Sequence, residues 1–515
     1  MPTNLRPFSV GLSGSLLGLL RLLRLLPALM AMGVCQVSYA SSVSRLEILG
    51  TDDIGSINGT SFRRVHGIFH GSVDQEENVA GLKPFLAGRP ALDYAVPFEA
   101  ILPTDARRAH SIVVEVENRG RPTALGLLGG FMPLPPTLPS EVRYPVGMGN
   151  GFPFTKGVAY ARVAWQTDVT ASVPATAQGV GQVILRDFGR MLARKSPTSA
   201  ADTLPTFSHR VLIGVSQSAW MANALVEEGF NRDPATGRGV YQGLFTRDGG
   251  GNVLAVNAAS GGGAQAAYPL PDAVPLLPAE LLRRPASDPI VVDILAYTDF
   301  YRLRASIFAA APSVRGLHRY AVAAAHAPEG GYPDGLIFGT LKCNGGMPVP
   351  LNPLNDAAHV RALFVGLLRK IGVQGLGAGN LPPDQMFDLT APGDAPINLL
   401  SGQTVLVPRI DHDAMPLGGI PMFEATLALG RPLPPAISPV GTRSITDVCG
   451  NFGGWEPLSA AELRQRYGTV KAYVEQADLL LGKQVKAGWL LAEDRAAELR
   501  RINAAAQRAF DNALR

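Results

Sequence analysis

The first part of the chain alternates apolar and polar residues. "SRLEILG", "FRRVHGIFHG" and "LDYAVPFEAILPTD" each follow this pattern, which is typical of half-buried antiparallel strands. The region from about 41 to 105 is therefore predicted to be a β-rich extension. Next comes a continuous apolar run in "HSIVVEVENRG", from Ile112 to Val116, which predicts a buried strand ending before Gly120.

From Gly157 onward, predicted strands alternate with predicted helices. "GVAYARVAW", "GVGQVILRDFGRMLAR" and "HRVLIGVSQ" give strand, helix and strand, and further apolar strands lie in "PIVVDILAYTDF" and "LHRYAVAAAHA". Buried strands that alternate with helices predict an α/β fold, in which a mostly parallel central sheet carries helices on both faces.

The rest of the chain divides into two long connections and a tail. "GGFMPLPPTLPSEVRYPVGMGNGFPF" and a Gly/Ala/Pro-rich insertion at about 252–285 are too rich in Pro and Gly for regular structure, and loops of this length are usually functional or disordered. The tail from about 459 to 515 is predicted to be helical, interrupted only by "GWLL". We expect residues 41–515 to form one large domain with these additions.

The first 40 residues have the order of parts found in an export signal. Arg6, Arg21 and Arg24 occur without any acidic residue, an apolar run follows from Leu25 to Val37, and "SYA" ends at Ala40. This order predicts a signal peptide cleaved after Ala40 and a periplasmic or secreted protein. A retained membrane anchor is the alternative, because apolar residues also precede the arginines; after cleavage, no stable membrane span is expected.

Charge and cysteine content narrow the class of partner. Loss of the three arginines with the signal lowers the formal net charge from +4 to +1. Because no basic run with interleaved aromatic residues occurs, a nucleic-acid partner is not expected. The exported chain would keep Cys343 and Cys449. They either pair as a disulfide or remain two separate thiols, since sequence does not supply the required geometry.

A serine lies at a junction between a predicted strand and a predicted helix. In "RVLIGVSQSAWMANALVEEGF", Ser216 stands between Gly214 and Ser218 as Gly-x-Ser-x-Ser. A tight strand-to-helix turn of small residues is the nucleophile elbow, in which strained backbone exposes the hydroxyl at the sheet edge. A purely structural turn is the alternative, since the usual second glycine is replaced by serine.

Partners for such a serine must follow in the order Ser, acid, His. Asp299 ends "PIVVDILAYTDF" and His326 comes just after the next strand, so both are predicted at the edge where parallel strands end. The imidazole of His326 would accept the serine proton. Asp299 would fix the tautomer of this imidazole and stabilise its charged form. Asp293 is the alternative acid, but it lies within the strand, where a lone carboxylate is costly to bury. His318 is the alternative histidine, but it begins its strand and is therefore expected at the opposite edge of the sheet.

Simpler interpretations exist for the same residues. Asp299 could only cap the following helix, and His326 could be an ordinary loop histidine. For the oxyanion hole, the backbone amides of Gln217 and Gly120 are predicted donors, with Arg119 close to the second. Trp165 and Gln166 end another strand, where they either line a pocket or belong to the core.

No metal or cofactor is predicted. His66 and His70 are four residues apart but lie in a β-like context without the helix and Glu of a zinc protease. "RIDHDAMPLGGI" holds Asp411, His412 and Asp413, an arrangement better explained as a solvated loop than as a cation site. "DGGGN" and "SGGGAQ" lack the Lys-Ser/Thr ending of a phosphate-binding loop.

These motifs resemble the bacterial alpha/beta hydrolase domain family of exported proteins with a Ser-Gln-Ser nucleophile turn. The similarity extends over nearly the whole mature chain and includes the following stretches: "YAVPFEAILP", "VEVENRG", "FTKGVAYARVAWQTDV", "GVSQS", "GFN", "AYTDF" and "RYAVAAAHA". It implies an α/β-hydrolase fold with Ser216, Asp299 and His326 as triad. Ala219 and Trp220 stand where family members commonly have Gly-Arg, and "DHDAMPLGGI" differs from the usual Asn-containing version.

The expected function is that of a serine hydrolase which cleaves a carboxylic ester, small or oligomeric, through an acyl-enzyme intermediate. An amidase or lactonase would use the same three residues, because all these reactions pass through a tetrahedral oxyanion. A non-catalytic exported binding protein on the same fold is the alternative from another class.

Overall fold

The computed structural model describes residues 45–77, 79, 82, 86, 88–118, 120, 122–128, 151–166, 179–193, 204–254, 275–326, 352–377, 379–391, 406–433 and 453–512. The predicted export segment, Arg119, Cys343 and Cys449 lie outside this part of the chain, as do most of the two predicted loops. What the sequence predicts for these residues therefore stays a prediction.

Eleven strands occur in the described part of the chain, and nine of them form one sheet. Its strands are β1 (Arg45–Ile57), β2 (Thr60–Asp74), β3 (Ala91–Pro103), β4 (Ser111–Val116), β5 (Val158–Val163), β6 (His209–Val215), β7 (Gly243–Arg247), β8 (Ile290–Ala296) and β9 (Leu317–Val322). A separate antiparallel pair consists of β10 (Gly430–Leu433) and β11 (Gly454–Pro457).

The sheet order is β1-β2-β3-β5-β4-β6-β7-β8-β9. The first three strands are antiparallel, and β3 also pairs antiparallel with β5. From β5 to β9 every neighbouring pair is parallel. The predicted mostly parallel central sheet is confirmed, and the β-rich N-terminal region continues it at one edge.

Helices of the described residues connect and cover these strands. They are α1 (Ala124–Leu127), α2 (Phe152–Thr155), α3 (Val180–Met191), α4 (Gln217–Glu227), α5 (Pro278–Leu281), α6 (Asp299–Arg302), α7 (Ala305–Ala310), α8 (Ala357–Lys370), α9 (Phe423–Thr426), α10 (Ala460–Tyr467), α11 (Val470–Ala487) and α12 (Arg495–Asn512), with a 3-10 helix at Ala106–Arg108. None of the helices described combines the length and apolar character needed to cross a membrane.

The parallel strands are mainly apolar because both of their faces are buried. Leu212 packs into one core cluster together with Trp220 of α4, whereas its neighbour Ile213 packs into the opposite cluster. In that second cluster, Phe245 of β7 meets Phe364 of α8 edge to face, with ring centroids 5.5 Å apart. Alternate side chains thus serve two layers of helices, and each buried side chain contributes roughly 1.5–3 kcal/mol. This double burial fixes the sheet that carries the site.

The helical tail has one more interruption than predicted. α10 begins with a capping box between Ser459 and Glu462 and ends at Gly468, which has a φ of 73°. Thr469 then caps α11 by accepting from the Ala472 amide. The expectation that "GWLL" alone interrupts the tail was wrong, because a positive-φ glycine followed by a capping threonine separates two helices.

Candidate active site

Three side chains predicted to work together meet at one edge of the sheet. Ser216 directly follows β6, Asp299 comes three residues after β8, and His326 comes four residues after β9. Because these parallel strands run in the same direction, their carboxyl ends lie on the same side. Ser216, separated from His326 by 110 residues of chain, is brought within hydrogen-bond distance of it.

Ser216 occupies a strained turn between β6 and α4. Its φ of 55° and ψ of −123° are rarely adopted by a non-glycine residue. A Cβ at Gly214 would lie 2.5 Å from the carbonyl oxygen of Ser218, so the turn requires glycine there. Ser218 fits the second small position: its hydroxyl accepts from the Val215 amide at 2.8 Å and donates to the Val215 carbonyl at 2.9 Å.

The three side chains form a continuous hydrogen-bonded chain. His326 Nε2 lies 2.8 Å from Ser216 Oγ, and His326 Nδ1 lies 2.6 Å from Asp299 Oδ1. The exposed fractions of His326 and Asp299 are 4% and 1%, so solvent barely competes for these contacts. With the proton on Nδ1 directed to Asp299, Nε2 is free to accept the serine proton.

Local contacts hold Asp299 and His326 in place. Oδ2 of Asp299 accepts from the Ala296 amide at 3.1 Å, and the His326 amide donates to Thr298 Oγ1 at 2.8 Å. Thr298, not Asp299, is the N-cap of α6. The structure therefore assigns the Asp299 carboxylate to the histidine and not to a helix cap, and His326 is a buried residue, not an ordinary loop histidine.

The alternative acid and base have other partners. Asp293 accepts from Thr246 Oγ1 at 2.8 Å and from the Gly250 amide at 2.9 Å, and burial raises its pKa to about 7. His318 lies 3.3 Å from Asp384 through Nδ1. Asp293 thus braces the turn after β7, and His318 contacts Asp384 and not the serine.

The loop after β4 lies against the nucleophile turn. Asn118 Nδ2 donates to the Val215 carbonyl at 2.9 Å, and Gly120 follows with a φ of 73°. Gln217 is the first residue of α4 and is buried, so its amide belongs to the positive end of a helix. This arrangement is compatible with Gln217 and Gly120 as oxyanion donors, a role that stays a prediction.

Comparisons with known proteins agree with this architecture. Residues 155–500, well over half of the chain, match the family described as alpha/beta hydrolase domain. The chain belongs to the alpha/beta hydrolase domain family. The resemblance and the fold class predicted from the sequence are confirmed.

Solved structures similar to this alpha/beta hydrolase include several esterases. A glucuronoyl esterase from Solibacter usitatus is 8% identical with a TM-score of 0.26, over 49% of this chain and 68% of that chain. An S-formylglutathione hydrolase from Agrobacterium tumefaciens is 12% identical with a TM-score of 0.28, over 54% and 90%. Such low values carry no information about the substrate of this chain. Among curated proteins, none matches it.

Arg247 and Asp248 are two residues of the alpha/beta hydrolase site that the sequence analysis missed. The guanidinium of Arg247, 1% exposed, donates to Asp248 Oδ2 at 2.7 Å, to Asp356 Oδ2 at 2.9 Å and to the carbonyls of Ala325 and His326 at 2.8 Å. Arg247 therefore braces the backbone that carries the histidine. In the sequence, these two residues form an Arg-Asp pair before "GGG" at the end of a strand. That stretch was weighed only as a phosphate-binding loop.

Trp165 and Trp220 are core residues that support the site. Trp165, 1% exposed, donates through Nε1 to the Glu117 carbonyl at 2.8 Å, and the neighbouring Gln166 is also buried. Trp220 is equally buried and donates to the Asp248 carbonyl at 2.9 Å. The core interpretation of Trp165 is thus favoured, and Trp220 anchors the turn that holds Asp248.

The motifs weighed earlier as metal sites have protein partners. His70 lies 2.9 Å from Glu47 across β1 and β2. Asp413 is bonded to Arg466, which lowers the pKa of its carboxyl, and Asp411 caps its own turn by accepting from the Met415 amide. Asp248, Asp299 and His326 form a closer cluster, with donor atoms all within 4.8 Å of one another. A cation there would adjoin the buried Arg247 guanidinium, which electrostatics disfavours.

Proposed function

We propose that this alpha/beta hydrolase is an exported serine hydrolase that cleaves carboxylic esters through an acyl-enzyme intermediate. The observation that carries the proposal is the hydrogen-bonded chain from Ser216 Oγ through His326 to Asp299, placed on a strained turn at the sheet edge. Burial of the acid and the histidine supports it, because a water-excluded site strengthens electrostatic stabilisation of charge that develops during reaction.

In acylation, Ser216 Oγ attacks the ester carbonyl carbon while His326 Nε2 takes the hydroxyl proton. The resulting oxyanion is stabilised by backbone amides, for which Gln217 and Gly120 are the candidates. When the tetrahedral intermediate collapses, the C–O bond to the alcohol breaks and His326 returns its proton to the leaving oxygen. A water molecule then repeats the sequence on the acyl-serine and releases the carboxylic acid.

Asp299 has an electrostatic and orienting role in both acylation and deacylation. Its carboxylate faces His326 Nδ1 at 2.6 Å, which selects the tautomer with a free Nε2 and stabilises the imidazolium that forms. Asp299 takes no part in the proton transfers, which run only between serine or water, the histidine and the leaving group.

The proposal is tested with a fluorophosphonate probe, followed by a panel of esters with graded acyl length. Wild-type protein should be labelled and should hydrolyse at least one ester, whereas Ser216→Ala should lose both properties and keep its thermal unfolding midpoint. Ser208→Ala, which changes an exposed serine outside the site, is the matched control and should behave as wild type. Labelling retained by Ser216→Ala would assign the nucleophile to another residue, and a folded but unlabelled wild-type protein would favour a non-catalytic binding role.

A further inference from the structure

A second carboxyl group lies behind the triad. β7 lies between β6 and β8 in the sheet, and Asp248 directly follows β7 at the same edge. Its Oδ2 lies 3.7 Å from His326 Nδ1, the nitrogen that also faces Asp299, and its side chain is fully buried. Its backbone has a φ of 63°, so Asp248 and Ser216 are both held in a sparsely populated conformation at one site.

The charges around Asp248 do not balance if every acid is ionised. The groups that face it are Arg247 on β7, Asp299 on α6, Asp356 before α8 and His326 after β9. One guanidinium would then be opposed by three carboxylates next to a neutral imidazole. Like charges in a buried site disfavour full ionisation, so one carboxyl of the cluster should hold a proton.

Hydrogen bonding indicates which carboxyl holds it. Both oxygens of Asp299 face donors, His326 Nδ1 and the Ala296 amide. In Asp248, Oδ2 accepts from Arg247, but Oδ1 is buried and meets no donor among the described residues. A proton on the Asp248 carboxyl converts an acceptor into a donor, and Asp299 is a side-chain hydrogen-bond partner of that carboxyl.

We propose, on the basis of the proposed serine hydrolase function, that Asp248 is a positioning residue that works protonated and donates a hydrogen bond to Asp299. The ionised Asp299 carboxylate is thereby held on His326 Nδ1. Burial raises the pKa of Asp248 well above its usual range, Arg247 opposes this effect, and Asp299 and Asp356 add to it. When His326 is protonated during turnover, two cations then face two anions and the buried cluster becomes neutral.

Three variants test the proposal on an activated ester: Asp248→Asn, Asp248→Leu and Asp299→Asn. An asparagine at 248 can still accept from Arg247 and donate to Asp299, so kcat should fall only about 3- to 10-fold. Asp248→Leu removes the donor and should lower kcat about 100-fold with KM within about twofold. Asp299→Asn should lower kcat by about 10⁴-fold.

The pH dependence of kcat/KM gives a readout that a merely structural role would not move. If Asp248 is neutral in the working enzyme, Asp248→Asn removes no charge. The acidic limb of the kcat/KM profile, which reflects the protonation of His326, should then stay at the wild-type position. If Asp248 is ionised, the substitution removes a negative charge beside His326, lowers the pKa of the imidazole and moves the limb to lower pH. Three results would each overturn the proposal: an acidic limb of Asp248→Asn shifted to lower pH, a loss of kcat in Asp248→Asn as large as that in Asp299→Asn, or wild-type kcat in Asp248→Leu.

An infrared measurement separates this proposal from the proposed function. At the pH of the kinetic measurements, the difference spectrum between wild type and Asp248→Asn should show one protonated carboxyl in the wild type, because Asp293 and Glu424 are present in both proteins and cancel. Absence of that band rejects a protonated Asp248. Failure of the wild type to react with the fluorophosphonate probe would reject the hydrolase, while the band would still decide whether Asp248 carries the proton.

Discussion

Ser216 and its partners illustrate how single residues define this site. The serine hydroxyl is presented by a backbone with φ of 55°, and the buried imidazole of His326 connects it to Asp299 at 2.6 Å. Asp293, only six residues before Asp299, is directed to a neighbouring turn through Thr246 and Gly250. An acid three residues after β8 therefore reaches the histidine, whereas an acid within β8 supports the turn after β7.

This contrast predicts opposite outcomes for two matched substitutions. Asp299→Asn should lower kcat by about 10⁴-fold, because asparagine neither stabilises the imidazolium nor secures the productive tautomer. Asp293→Asn keeps an acceptor oxygen for Thr246 and should change kcat less than about 10-fold. Steady-state kinetics on an activated ester checks both; an essential Asp293 with a dispensable Asp299 would show that the acid is misassigned.

At the scale of elements, the junction of β6 with α4 is the tightest part of the site. Gly214 packs so closely on the first turn of α4 that an added Cβ would lie 2.5 Å from Ser218 O and 2.7 Å from the Ala219 nitrogen. Both neighbours are backbone atoms and cannot turn away as a side chain can. The helix N-terminus is thus held directly against the strand, which keeps the amide of Gln217 next to the serine.

Gly214→Ala should consequently damage both stability and activity. We expect the free energy of unfolding to fall by about 1–3 kcal/mol, as in overpacked cores, and kcat to fall because the serine moves with the helix. Gly243→Ala on the adjacent strand is the matched control, since the three atoms nearest to its Cβ would be side-chain atoms of Val211 and Leu367 at 3.2–3.4 Å. Urea unfolding of both variants measures the difference; equal losses would show that the junction has no special restraint.

At the scale of the whole molecule, buried titratable groups link folding to pH. His359 of α8 is 2% exposed, and burial lowers its pKa to about 4. Its unfolded form has the ordinary pKa of about 6.5. Between these values the unfolded state binds the proton and the folded state does not, so the stabilisation is complete above about pH 6.5 and is lost as pH falls toward 4. Asp293 and Glu424, with pKa values of about 7, act in the opposite direction.

Replacement of His359 should therefore flatten the acid side of the stability profile. From the difference between the two pKa values, wild type should lose about 3 kcal/mol more than His359→Leu between pH 7 and 4. His412→Gln, at a histidine whose side chain is 81% exposed, is the control and should retain the wild-type slope. Chemical unfolding at a series of pH values gives the comparison, and parallel profiles for wild type and His359→Leu would contradict it.

Export is a further prediction at the scale of the whole molecule. The order of charged, apolar and small residues in positions 1–40 predicts that the mature protein begins near Ser41. Mass spectrometry of secreted or periplasmic protein should detect this N-terminus. Membrane-bound protein with residues 1–40 intact would instead favour the anchor.

Local sequence patterns determined much of this protein. Mainly apolar segments predicted β4 to β6, β8 and β9, because strands buried on both faces need apolar residues on both. The small residues around Ser216 predicted the turn, and Asp299 and His326 were found because parallel strands place their ends together. The break at Gly468 was also readable from a glycine followed by a capping threonine, and was overlooked.

Only the tertiary structure revealed the network behind the triad. Arg247 joins Asp248, the adjacent residue, to Asp356, which is 109 residues away, and to the backbone at 325–326. Periodicity reports which face of an element is buried, but it carries no information about which distant charge will neutralise a buried one. The partner is chosen by the packing of β7 between β6 and β8 and by the position of α8, so the protonation of Asp248 depends on long-range electrostatics that exist only in the folded chain.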